Sequence, residues 1–206
     1  MNLFWQFICT IFFGAVCWAV GDLLLKSFLG RKVVLPVLAR HSLSFAIGNV
    51  AISYFLTGLG FIGGFVSTVL WIVFFGGIGI TIWHITEEFR KSTHSRSVNQ
   101  TIREETENKG EGIAYIVLVF IIGVFFIPAI LQAAAPPFVC DSLVYHLLCP
   151  KEYLKVGRLV HIEGNLFSAF PKGHEVFMTL LLSIGGDRSA QGFSILQQLA
   201  AIGELY

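Results

Sequence analysis

LFWQFICTIFFGAVCWAVG, residues 3–21, is the stretch that decides the fold. It holds no Asp, Glu, Lys or Arg, and about 20 such residues wound into a helix match the hydrocarbon core of a bilayer. Three further runs repeat the pattern: Ser42 to Gly60, Phe65 to Ile85 and Ile113 to Ala135, the last with Pro128 inside it. None of the four contains a charged residue. In lipid each backbone N–H and C=O must be satisfied within the segment or in a closed barrel. The runs lack the period-2 alternation of barrel strands, so they read as helices. The predicted fold class is all-α: a polytopic transmembrane helical bundle.

Composition points the same way. The 206-residue chain is 55% hydrophobic and 13% charged, where a soluble domain carries about 25% charged residues. Its mean hydropathy is +0.74. That little charge cannot give a globule of this size a polar surface, so a soluble fold is excluded. The 21 glycines suit helices that pack closely in a membrane. A net charge of +1 gives no reason to expect a nucleic-acid partner. The four cysteines are too few for a disulfide scaffold. Cys9 and Cys17 read as core thiols; Cys140 and Cys149, in a polar loop, would stand about 13 Å apart on a helix, too far to bridge. No Lys or Arg precedes the first run, so the positive region of a signal peptide is missing and the segment reads as a retained helix.

Basic residues set the expected orientation. Lys26, Arg31, Lys32 and Arg40 follow the first run, and Arg90, Lys91, Arg96, Arg103 and Lys109 follow the third. The hairpin between the second and third runs, Gly58 to Gly64, has none. Both basic loops should therefore be cytoplasmic, with the N-terminus and everything after the fourth run outside. Residues 1–86 form a unit of three transmembrane helices. Residues 87–112 form a charged cytoplasmic loop, whose Asn99-Gln100-Thr101 sequon would face the wrong side for glycosylation. Residues 113–206 form a third unit: a transmembrane helix, an outer loop with short helices, and the beginning of another transmembrane helix.

The outer loop, Pro136 to Asp187, differs in kind from the rest. Leu143, Val144, Leu147, Leu148 and Leu154 recur at helical spacing, which predicts an amphipathic helix over Asp141 to Tyr153 lying along the membrane. Pro150 should kink or end it, and Gly157 offers a stop. Val176 to Ile184 is apolar but too short to cross. Gly185-Gly186 breaks it, and Asp187 is placed to cap a last helix running to Tyr206.

The chemistry-bearing groups lie in this loop. Asp141 and Tyr145 share a helical face, while His146 points elsewhere. Asn165, Ser168, Lys172, His174 and Glu175 follow between apolar segments. Lys172 suits a lipid phosphate. Asp141 suits either a proton acceptor or an oxygen ligand to a divalent cation. Each has a plainer reading: Asp141 as a helix N-cap, Lys172 as a snorkelling side chain, Tyr145 and Tyr153 as interfacial anchors. His146, His161 and His174 lack the HExxH spacing of zinc proteases, and no P-loop, GxSxG or paired CxxC motif is present.

The series Asp141-Ser-Leu-Val-Tyr145-His146, Pro150, Tyr153, Gly157, Asn165, Ser168, Pro171, Glu175 and Gly185-Gly186-Asp187 resembles the first outer loop of GT-C membrane glycosyltransferases. The likeness is to bacterial relatives of the aminoarabinose and protein mannosyl transferases, over about 65 residues. It implies transfer of a sugar from a polyprenyl-phosphate carrier to an acceptor outside a bacterial inner membrane, with membrane lipid and the carrier-linked sugar as partners. It gives Asp141 the catalytic place, as base or metal ligand. It gives Tyr145, His146, Asn165, Lys172 and Glu175 substrate-binding places. Many members have two adjacent acids; here Ser142 and Leu143 follow Asp141, which leaves a divalent cation open. On this reading the chain is the N-terminal portion of a longer enzyme. Two other classes remain: a non-catalytic membrane scaffold, in which Asp141 is only a cap, and a transport subunit, which should carry ionisable groups inside its spans.

Overall fold

The computed structural model describes residues 2–29, 36–95, 120, 123–124, 127–135, 146–169 and 173–204. Among them the regular structure is entirely helical: α1 (Leu3–Leu29), α2 (Val37–Phe61), α3 (Ser67–Ser95), α4 (Leu148–Val156), α5 (Gly173–Gly185) and α6 (Asp187–Glu204), with a 3-10 turn at Leu166–Ala169. Three of these are long and apolar enough to cross a membrane, over Leu3–Phe28, Val37–Phe61 and Ser67–Lys91. They fit an integral membrane protein. In the fourth apolar run, 113–119, 121–122 and 125–126 lie outside the described residues, and 127–134 is helical.

The first and third helices outrun the apolar stretches that nucleate them. A helix continues while its N–H groups find carbonyls four residues back, whatever the side chains. So α1 carries Asp22 and Lys26 on its last turns, and α3 carries Glu87 and Glu88 beyond the run that already held His84. The spans are therefore not free of ionisable groups, and such groups are what a transport subunit should carry.

α1 is the central helix. It packs against α2, α3, α5 and α6. Gly21 and Gly48 let α1 and α2 close until backbone touches backbone. An apolar cavity of 560 Å³ separates α2 from α3, with Ile52 and Phe55 on one wall, Ile72 and Val73 on the other, and Phe13 and Val16 of α1 between them. α6 runs in the same direction as α1: Gly192 meets Thr10, Leu196 meets Gly14, and Gly203 meets Ser42 near the start of α2. Its 18 residues extend about 27 Å.

The short helices dock at the hairpin end of the bundle. α4 overlaps the helix expected over Asp141 to Tyr153 from Leu148 on and continues to Val156, while residues 141–145 lie outside the described residues. Pro150 does not end it. It occupies the first turn, where a missing N–H breaks no intrahelical bond. Gly157 does end it, at φ 76°, donating its N–H to the Tyr153 carbonyl at 2.8 Å. The chain then clips onto the α2–α3 hairpin: Phe65 N–H donates to the Gly157 carbonyl at 2.9 Å, and Leu159 N–H to the Gly60 carbonyl at 3.0 Å. Tyr153 is not an interfacial anchor but a core residue, 1% exposed and packed on Phe65. Cys149, expected in a polar loop, is buried beside it. α5 has 13 residues, about 20 Å, which is less than a bilayer crossing. Nearly its whole length is buried, with Phe177 stacked on Phe193 of α6 and edge-on to Phe13 of α1. Gly186 is the residue before α6, and Asp187 opens the helix rather than capping it from outside.

Candidate functional site

α4 and α5 carry a polar cluster where they meet. His146, just before α4, and Glu175, in the first turn of α5, lie 29 residues apart in sequence and 3.1 Å apart in space, Nδ1 to Oε1. A carboxylate accepts, so the contact puts the imidazole proton on Nδ1. The Glu175 side chain is 9% exposed and that of His146 34%, which makes a pair with one sealed and one reachable member. His174 stands edge-on to His146, ring centroids 5.2 Å apart. Burial holds the His174 imidazole below its ordinary pKa; Glu175 works against this shift and His146 adds to it. Burial likewise pushes the Tyr153 hydroxyl well up, with Cys149 and Glu175 contributing.

Two flanking contacts fix this region. Lys151 of α4 donates to Asp187 at the start of α6, at 3.0 Å, tying α4 across to the helix that follows α5. Ser168 is buried and its Oγ lies 2.8 Å from His161 Nδ1, while it accepts from the Ile162 N–H at 3.1 Å. Asn165 belongs to that turn: its N–H donates to the Ile162 carbonyl, and its carbonyl accepts from Ser168 N–H.

Of the six residues singled out from sequence, His146 and Glu175 are thus brought together, and Asn165 sits in the turn that Ser168 and His161 hold. Asp141, Tyr145 and Lys172 lie outside the described residues. Among the described residues no group of three His, Cys, Asp or Glu side chains is arranged to hold a metal ion, and Asp141, the oxygen ligand considered for a divalent cation, is not one of them. The sequence reading named His174 but gave it no partner. It missed the Lys151–Asp187 contact, which joins α4 to α6 only once α4 has docked, and the Ser168–His161 contact, which is closed by a turn between residues seven apart in sequence.

The pair can exchange a proton with a bound molecule from its exposed side, and its sealed carboxylate can hold the imidazole in one orientation. Set against protein-family models, curated proteins and solved structures, the chain finds no match.

Proposed function

We propose that the chain works as, or as part of, a membrane glycosyltransferase of the GT-C type. It would take a sugar from a polyprenyl-phosphate carrier in a bacterial inner membrane and pass it to an acceptor on the outer face. The observation that carries this reading is the His146–Glu175 contact. Both residues belong to the series that resembles the family's outer loop, and a binding role for both requires them to be neighbours. The pair lies at the same end of α5 as the sequence position of Lys172, at the edge of an apolar bundle. A lipid carrier needs that combination, since its phosphate stays with polar groups while its tail stays in apolar surroundings.

On this reading Asp141, five residues before His146, accepts the acceptor's proton as the acceptor oxygen attacks the anomeric carbon and the carrier phosphate leaves. Asp141→Asn tests it. Asn caps a helix about as well as Asp but is not a base. Loss of a general base costs about 10²–10⁴ in rate. Sugar transfer from the polyprenyl carrier should fall by that factor while thermal stability stays unchanged. Full transfer by a folded Asp141→Asn protein would falsify the base role and leave Asp141 only a cap, while no transfer by the unsubstituted protein would favour a scaffold.

A further inference from the structure

A second ionisable cluster lies at the opposite end of the bundle from the hairpin, where α2 and α3 both reach α1. Asp22 of α1 is 3% exposed and His84 of α3 is 2% exposed. Oδ1 of Asp22 accepts from Arg40 of α2, at 3.0 and 3.2 Å. Oδ2 is shared between Lys26, at 2.6 Å, and His84 Nε2, at 3.0 Å. Lys26 also reaches Glu88 of α3 at 2.8 Å, and Glu88 accepts from Lys91. Trp18 closes the cluster: its ring stands edge-on to His84, and its indole N–H donates to His41 at 2.9 Å. The other ionisable groups of the elements packed on α3 turn elsewhere. Glu87 pairs with Arg90, and His174 and Glu175 of α5 form the His146 site.

We propose that Asp22 and His84 form a proton-binding site between α1 and α3, independent of the transferase reading. Three observations carry this. First, His84 Nε2 is buried and, although 3.0 Å from the carboxylate, has no aligned hydrogen-bond partner among the described residues. Second, Asp22 and Glu88 carry two negative charges against the three positive charges of Lys26, Arg40 and Lys91, so a proton on His84 adds to a positive excess unless a cationic arm leaves. Third, the cationic arms can leave. The Lys26 and Arg40 side chains are 34% and 41% exposed, whereas Asp22 and His84 have no such route. Lys26 shares Oδ2 with His84, so it is the arm displaced. A proton from water enters, His84 becomes an imidazolium on the Asp22 carboxylate, and Lys26 turns to Glu88 and solvent. No other bond changes. Ionisable groups inside spans are costly and mark proton or ion pathways in many membrane proteins. The two helices that flank the cavity meet at this one carboxylate, through Arg40 of α2 and His84 of α3, and Trp18 stands on His84.

Trp18 allows a direct test. In the full chain in nanodiscs, with Trp5, Trp71 and Trp83 changed to Phe, Trp18 emission is followed from about pH 8 to pH 4, a range bracketing the ordinary histidine value near 6.5. The expected result is a single quenching transition that survives His41→Gln, disappears in His84→Gln, and moves by about one unit or more in Asp22→Asn, a tenfold change in proton affinity. Imidazole ¹⁵N NMR on the protein with all its tryptophans, with His84 assigned by its loss in His84→Gln, gives the same titration without the Trp substitutions. A His84 resonance that does not titrate in this range, a transition removed only by His41→Gln, or a midpoint unmoved by Asp22→Asn would each overturn the proposal.

Discussion

Gly21 of α1 and Gly48 of α2 face each other across a helix crossing so close that a Cβ on either would lie within 3 Å of the other's backbone nitrogen. A Cβ on Gly48 would also fall on the Cys17 carbonyl, and one on Gly21 on the Ser44 carbonyl. Neither obstacle is a flexible side chain, so the helices must separate to admit a methyl group. Gly48→Ala should therefore destabilise the protein by about 1–3 kcal/mol, the usual cost of overpacking. Gly58 lies on the same helix with open space around it. Gly58→Ala should be neutral or stabilise by up to about 1 kcal/mol through helix propensity. Unfolding of both variants in one detergent checks the contrast, and equal effects would remove the close crossing as the cause.

The His146–Glu175 pair predicts thermodynamic coupling. His146→Ala leaves the Glu175 carboxylate sealed with a partner gone, which costs about 1–3 kcal/mol. In a Glu175→Gln background the same change should cost less, because the buried charge is already removed. A double-mutant cycle should return a coupling of about 0.5–3 kcal/mol, and a value of zero would dissolve the pair.

Tyr153 separates packing from polarity. Its ring is sealed against Phe65 at the docking point of α4. Tyr153→Ala should cost about 3–5 kcal/mol, in the range of other large aromatic truncations. Tyr153→Phe keeps the ring and should cost less than about 1.5 kcal/mol, as shape-conserving changes do. Thermal unfolding of the two variants gives the ratio.

The helical class and the three long spans were legible because they depend on local properties: apolar runs of bilayer length and the absence of strand alternation. The ends of α1 and α3 were not. An apolar run marks where lipid can be, whereas the helix stops where its backbone bonds stop, and Asp22 and Lys26 lie between those two limits. His84 was visible inside the third run, but an uncharged imidazole in an apolar stretch gives no sign of its partner until α1 brings Asp22 to it. Pro150 was misread for a related reason: its effect depends on whether it falls in the first turn or the interior, which the start of α4 at Leu148 decides. His146 and Glu175 were picked out separately by residue type and resemblance; their contact arises from the packing of α4 on α5, which has no local signature.

His174 predicts a pH dependence. Burial holds its imidazole below the ordinary value in the folded state, so the fold binds the neutral form better than the unfolded chain does. The unfolded state then takes up more protons, and stability drops as pH falls below about 6.5 and on through the folded-state value. Above that window the contribution is fully present. His174→Gln should flatten the decline of Tm between about pH 7 and pH 5 relative to the unsubstituted protein. Other histidines titrate in both, so the difference between the two curves is what counts, and parallel curves would sink the assignment.

Orientation is the last expectation, and it rests on charge placement. The basic end of the bundle holds Lys26, Arg40, Arg90 and Lys91, while the α2–α3 hairpin with α4 docked on it presents no Lys or Arg between Gly58 and Gly64. Cytoplasmic loops collect Lys and Arg, so the basic end should face the cytoplasm and the turn at Glu163 should face outward. Glu163 and Lys91 are both exposed, so a cysteine at either can be reached from its own side. The test uses a background with Cys9, Cys17, Cys140 and Cys149 changed to Ala and a membrane-impermeant maleimide added to intact cells. Glu163→Cys should label before the cells are opened, and Lys91→Cys only afterwards. The reverse pattern would turn the bundle over, place the His146–Glu175 pair on the cytoplasmic side, and leave a transferase acting on the outer face without a site.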